Sequence, residues 1–184
     1  MAVLNEEQEM LRDMAREWAT NESPVTEFRK VRASGEPEAF DRAAYATMAE
    51  MGWAGIIIPE DHGGSDFGFL SAGLVMEELG KTLTASPLIA TTLAASAIML
   101  GGSDGQKAKW LPKLASGEAI ATLAIDEGPH HDPDRIETRV SGGKLSGTKA
   151  FVHEAHGADL FVVAATDGPM PQTTYVLRQA LQQN

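Results

Sequence analysis

Apolar residues recur at helical spacing through the first two thirds of the chain and in short runs afterwards. A first helix is predicted from Glu6 to Thr20, with Leu11, Met14, Ala15 and Trp18 on one face. Asn5 is placed to accept a hydrogen bond from an unpaired N–H of its first turn. Gln8 stands where a capping box needs its second partner, and Ser23-Pro24 ends the helix. A second helix fits Glu38 to Met51, with Pro37 in the first turn and Gly52 at a left-handed exit. Its buried stripe reads Phe40, Ala44, Met48 and Met51. A third spans Phe67 to Leu79, carries Leu70, Leu74 and Leu79, and stops at Gly80. A fourth is capped by Ser86, opened by Pro87 and closed by Gly101-Gly102. It is apolar almost all round, which places it centrally. A fifth starts after Ser103 or Asp104, and Pro112 must kink or end it because its ring clashes with the carbonyl of Ala108.

The texture changes after Gly117. Ala119 to Ile125 reads as a buried strand. Glu137 to Val140 and Lys144 to Val152 flank Ser141-Gly142-Gly143, a hairpin signal. Leu160 to Thr166 and Thr173 to Leu177 are further strands. Between helices, Gly52 to Gly64 reads locally as a helix exit, a short buried strand at Ile56 to Ile58 and a turn. The expected class is α+β: an all-helical part, residues 1–117, then a small antiparallel sheet or partial barrel, residues 118–184.

Composition removes several functions. The 184 residues are 43% apolar, enough for a core, yet no run of about 20 is continuously apolar. No membrane span is therefore expected. Met1 to Leu11 carries Glu6, Glu7 and Glu9 and lacks the pattern of a secretory signal. No cysteine is present, which excludes disulfides, thiolate metal sites and a cysteine nucleophile and fits a cytoplasmic protein. The net charge of -11, with no basic stripe, argues against nucleic acid. A Gly-x-Ser-x-Gly elbow, a P-loop and a Gly-x-Gly-x-x-Gly turn are all missing. His130, His131, Asp132 and Asp134 lie close together, with His153 and His156 within reach if strands pair. Imidazole and carboxylate can ligate zinc or iron, but Gly-Pro and Asp-Pro mark a solvated turn, and no metal is assigned.

Two runs carry more than pattern. One is Gly52-Trp53-Ala54-Gly55-Ile56-Ile57-Ile58-Pro59-Glu60-Asp61-His62-Gly63-Gly64. The other is Gln106-Lys107-Ala108-Lys109-Trp110-Leu111-Pro112-Lys113-Leu114-Ala115-Ser116-Gly117-Glu118. With Glu77-Glu78-Leu79-Gly80, Ser86-Pro87-Leu88 and Gly101-Gly102-Ser103, they resemble the amino-terminal half of an acyl-CoA dehydrogenase, from Asn5 to about Ala165. The resemblance implies FAD held between a middle β domain and a carboxy-terminal helical bundle. It implies α,β-dehydrogenation of an acyl-CoA thioester, an electron-transfer flavoprotein as electron acceptor, and a homo-oligomer or a longer dehydrogenase subunit as partner.

Two β segments of such enzymes touch the flavin. Their counterparts here are Leu123-Ala124-Ile125-Asp126-Glu127-Gly128-Pro129 and Gly147-Thr148-Lys149-Ala150-Phe151-Val152-His153. The resemblance therefore implies Leu123, Ile125, Asp126, Phe151, Val152 and His153 as cofactor contacts. Glu127 matches the family pattern, but its family role is not proton abstraction. Asp126 and His153 replace hydroxyl residues and Gly128 replaces proline. An ionised carboxylate only accepts hydrogen bonds, whereas an imidazole can donate. In such enzymes a glutamate of the carboxy-terminal bundle removes the α-proton. The chain is expected to lack that bundle, so no catalytic residue is assigned and the chain alone is not expected to be self-sufficient. Two other readings stay open: a non-catalytic partner subunit of a heteromeric dehydrogenase, and a module that binds CoA or protein without redox activity.

Overall fold

The computed structural model describes residues 4–133 and 135–167, and the backbone of 174–179. Among them are six α-helices: α1 (Glu6–Glu22), α2 (Val25–Ser34), α3 (Arg42–Glu50), α4 (Gly68–Lys81), α5 (Leu88–Gly101) and α6 (Asp104–Ala115). The strands are β1 (Ala121–Ala124), β2 (Arg139–Ser141), β3 (Lys144–Ser146), β4 (Leu160–Ala165) and β5 (Thr174–Gln179). The α+β expectation holds, with helices first and strands after.

Helix α1 begins as its sequence dictates. Asn5 Oδ1 accepts from the Gln8 N–H (2.8 Å) and Gln8 Oε1 accepts from the Asn5 N–H (3.1 Å). Its buried face is Leu11, Ala15, Trp18 and Ala19, whereas Met14, expected on that face, is 47% exposed. The helix packs on α4. Across this seam Glu78, whose side chain is 1% exposed, accepts from Arg16 (3.0 and 3.3 Å), and within α4 it accepts from Lys81 (2.9 Å). Burial alone would push the Glu78 carboxyl up, but these cations outweigh it and hold it below the ordinary carboxylate range. Trp18 also meets Trp53 edge-on, with ring centroids 5.6 Å apart.

Helix α2 is absent from the sequence reading. It has no buried residue, so it offers no apolar stripe to detect. Helix α3 starts later than predicted because Asp41 caps it, accepting from the Ala43 N–H at 2.8 Å. Phe40 is still buried, just ahead of the helix, while Ala44 and Met51 are only partly so. Ile56 to Ile58 are buried as expected, but in consecutive turns and not in a strand. Their polar backbone is satisfied by the returning chain: Ser65, Asp66 and Phe67 N–H groups donate to the carbonyls of Gly55, Ile58 and Ile56. Gly64 makes this possible, since a Cβ there would overlap the Ile58 carbonyl.

Helix α4 buries Ser71, Ala72, Val75, Glu78 and Leu79. Leu70, placed in its stripe, is 48% exposed, and the helix runs one residue past Gly80. Helix α5 packs on β1 and α6 through Ala94, Ala95 and Ile98. It is not covered all round, because Ile89, Leu93 and Leu100 are exposed. Helix α6 carries Pro112 and continues to Ala115, with Leu111 and Leu114 fully buried. The proline sits in the last turn, where the ordered core contacts of these leucines outweigh one lost hydrogen bond.

Strands β1, β4 and β5 form a three-stranded sheet with β4 in the centre. Strands β4 and β5 are antiparallel, but β1 and β4 run parallel, Ala121 facing Leu160. This departs from the antiparallel expectation. A parallel pair needs a long crossover, and residues 125–159 provide one. That crossover holds the β2–β3 hairpin, whose two-residue turn places Gly142 and Gly143 at φ 55° and 75°. The hairpin is tied to the end of β4 by Val140 N–H to Thr166 O (2.9 Å) and Thr166 N–H to Thr138 O (2.8 Å). No closed barrel is present among the described residues. One cluster of buried side chains joins the two parts, with Ala121, Leu160 and Val162 packed into the helical core.

Candidate functional site

The site lies within the crossover, where the chain leaving β1 meets residues 147–154. Thr122 Oγ1 donates to the His153 carbonyl (2.6 Å), and the Ala150 N–H donates to the Asp126 carbonyl (2.8 Å). Lys149 Nζ donates to the Ile125 carbonyl and to Glu127 Oε1, each at 2.8 Å. Leu123, Ile125 and Asp126 are thus brought beside Phe151, Val152 and His153.

Glu127 is the hub of this arrangement. Besides Lys149 it accepts from the backbone N–H groups of Glu137 (2.6 Å) and Thr138 (2.9 Å). Burial opposes its charge, but the ammonium and the N–H donors dominate and hold its carboxyl at about 2. A carboxylate so acidic, with its oxygens engaged, is a clamp between three segments and a poor proton acceptor. The sequence reading gave Glu127 no catalytic role. Lys149 and Thr122 went unassigned in that reading. For Thr122 the signal was a hydroxyl inside an otherwise apolar run, which announces a buried partner without naming it; Lys149 stands among polar neighbours and gave no such signal.

Phe151 is 74% exposed and sits in the left-handed backbone region (φ 52°), as does Glu154 (φ 52°). For a large side chain that conformation is strained. The adjoining hydrogen bonds of Ala150 and His153 impose it, and they present the ring outward. His153 is exposed and held through its own carbonyl. Burial raises the Glu154 carboxyl, with His153 opposing that rise. On the other side of the strand exit, Asp126 Oδ1 lies 2.8 Å from His131 Nδ1. Among the described residues no three His, Asp or Glu side chains converge on a metal position. Asp134 lies outside the described residues. No described helix is long and apolar enough to cross a membrane.

The family description "Acyl-CoA dehydrogenase, N-terminal domain" matches residues 5–118. This chain belongs to the acyl-CoA dehydrogenase family. It is 33% identical over 171 residues to mitochondrial isovaleryl-CoA dehydrogenase of Bos taurus, covering 88% of this chain and 39% of that protein. To (2S)-methylsuccinyl-CoA dehydrogenase of Cereibacter sphaeroides it is 34% identical over 174 residues, covering 89% and 31%. Among solved structures, a variant of the Tcur3481–Tcur3483 steroid ACAD superposes with a TM-score of 0.82 at 29% identity. That match covers 94% of this chain and 48% of the other. The ChsE4–ChsE5 complex of Mycobacterium tuberculosis gives 0.81 at 25%, covering 96% and 49%. The chain therefore spans less than half the length of these relatives.

Proposed function

We propose that this chain forms one wall of a flavin and acyl-CoA cleft in an acyl-CoA dehydrogenase. The observation that carries this reading is the paired strand-exit and 147–154 segments, which hold Phe151 outward beside Asp126. An aromatic ring held exposed by a strained backbone fits stacking on a planar ring system. Leu123, Ile125 and Val152 supply half-buried apolar surface beside it. Asp126, Phe151 and His153 would contact the FAD, together with those three. When bound, FAD would accept the hydride as the α-proton of the thioester leaves. The residues described here bind and orient, and Glu127 with Lys149 keeps the two segments in register. We assign proton abstraction to none of them.

Support comes from family membership and from relatives named as acyl-CoA dehydrogenases, one of them "short-chain specific". A second reading, a subunit that works only beside a longer dehydrogenase chain, is favoured by Asp126 and His153 standing where hydroxyls are expected. Two of the matched structures are themselves named as pairs, Tcur3481–Tcur3483 and ChsE4–ChsE5. Visible spectroscopy of the purified chain, with and without added FAD, tests the proposal. A bound-flavin spectrum in the chain alone supports the first reading. Flavin bound only after a longer dehydrogenase chain co-purifies supports the second. Flavin in neither refutes both.

A further inference from the structure

The strained turn from Phe151 to Glu154 is pinned at both ends and hangs on one bond in between. Upstream, the Ala150 N–H donates to the Asp126 carbonyl (2.8 Å) and Lys149 Nζ donates to the Ile125 carbonyl (2.8 Å). Downstream, Gly157 is buried against Phe40, whose ring a Cβ at Gly157 would overlap. Its N–H closes the turn on the Glu154 carbonyl (3.1 Å). Among the described residues, residues 151–156 make one hydrogen bond to another element: the His153 carbonyl accepts from Thr122 Oγ1 (2.6 Å). Thr122 is fully buried on β1, so water does not compete for its hydroxyl.

The balance of strain and bonding makes that contact decisive. A large side chain in the left-handed region disfavours its conformation about tenfold. Phe151 and Glu154 both adopt it, each at φ 52°, and together they disfavour the turn about a hundredfold. An uncharged hydrogen bond favours it about fivefold. The bonds on Ala150, His153 and Glu154 thus offset the strain with little to spare, and removing one leaves the relaxed chain ahead.

We infer that Thr122 is a positioning residue whose hydroxyl, through the His153 carbonyl, holds residues 151–154 in the strained form that turns the Phe151 ring outward. Without it the turn relaxes and the ring is no longer presented. The turn is a two-state element close to balance, so a planar ligand seated on Phe151 favours the strained form. That last step deepens the proposed function and rests on it. The latch itself rests on the hydrogen bond and the backbone alone. A threonine that had merely found a convenient acceptor would leave the turn unchanged when its hydroxyl is removed.

The test is amide hydrogen exchange, followed by nuclear magnetic resonance on the full chain. The Ala150 and Gly157 N–H groups are the reporters, and the Leu160 N–H, bonded to the Ile120 carbonyl, is the reference. In Thr122→Val, protection of both reporters should fall about five- to tenfold while the reference stays unchanged. Thr122→Ser keeps the hydroxyl and should keep the protection. Glu154→Asn, which tolerates the left-handed region, should raise the reporters about three- to tenfold on its own and rescue them in Thr122→Val. FAD is the probe for the binding step. Its dissociation constant should rise about fivefold in Thr122→Val, whereas adding Thr122→Val to Phe151→Ala should change nothing further. Unchanged reporters in Thr122→Val, a fall shared equally by Leu160, or an FAD affinity indifferent to Thr122→Val would each overturn this inference and leave the proposed function standing. If Thr122→Val does not fold, unchanged reporters in Glu154→Asn overturn it instead. Reporters that fall as expected in a chain that binds no FAD would uphold the latch and refute the proposed function.

Discussion

Replacing Glu127 by Gln removes a charge that three segments share, without changing shape. Glutamine has a single carbonyl oxygen, so it still accepts from the Glu137 N–H but no longer from the Thr138 N–H. Its amide, however, turns a donor toward the Lys149 ammonium, which then keeps only the Ile125 carbonyl. The size of the loss follows from linkage. The folded carboxyl is held at about 2 against an ordinary 4.5. That gap corresponds to about 3 kcal/mol. The sign is that of a depressed acid. The contribution is full above the unfolded value and disappears as pH falls from about 5 toward 2. The side chains of Glu127 and Lys149 are only 16% and 9% exposed, so solvent discounts the figure little. Urea unfolding of wild type, Glu127→Gln, Lys149→Met and the double variant at about pH 7, 5 and 3.5 measures it. Each single variant should lose about 2–3 kcal/mol at neutral pH. The double should lose much less than the sum, and the Glu127→Gln gap should narrow at the lowest pH. A single-variant loss below about 0.5 kcal/mol, or a gap independent of pH, would show that the clamp is not what holds the crossover.

Other outcomes follow from the same geometry. Glu78→Gln should cost about 1–3 kcal/mol in denaturant unfolding, because Arg16 and Lys81 lose a buried acceptor on the α1–α4 seam. Gly64→Ala should destabilise by roughly 3 kcal/mol or more, or fail to fold, since the new methyl has only backbone to displace. Soluble yield and circular dichroism report it. Phe151→Ala should leave the melting temperature within the range of a neutral surface change, since the ring is 74% exposed. FAD affinity should nonetheless fall about three- to tenfold.

Elements with a local signature were legible in the sequence. The Asn5–Gln8 box, the Ser103 start and the Gly142-Gly143 hairpin each rest on interactions within four residues, so a linear reading reaches them. Helix α2 was missed because it buries nothing. Met14 and Leu70 were placed inside because periodicity marks an apolar face but not whether a neighbour covers it. The parallel β1–β4 pair was invisible for a different reason: its partners are 39 residues apart, Ala121 with Leu160, and strand direction is set by the crossover. At the site, the resemblance singled out the two segments, and the structure brings them together. The Lys149–Glu127 clamp and the His131–Asp126 pair join residues 22 and 5 positions apart across loops. No spacing rule predicts such encounters.

The parallel pairing of Ala121 to Ala124 with Leu160 to Val163 has a consequence for accuracy. Side chains alternate between faces along a strand, so a one-residue slip inverts every one of them. Thr122 would then turn its hydroxyl away from His153, and the 147–154 segment would lose an anchor. Small and branched residues, sealed under the helices, thereby act as the alignment gauge for the polar assembly beyond the strand exit.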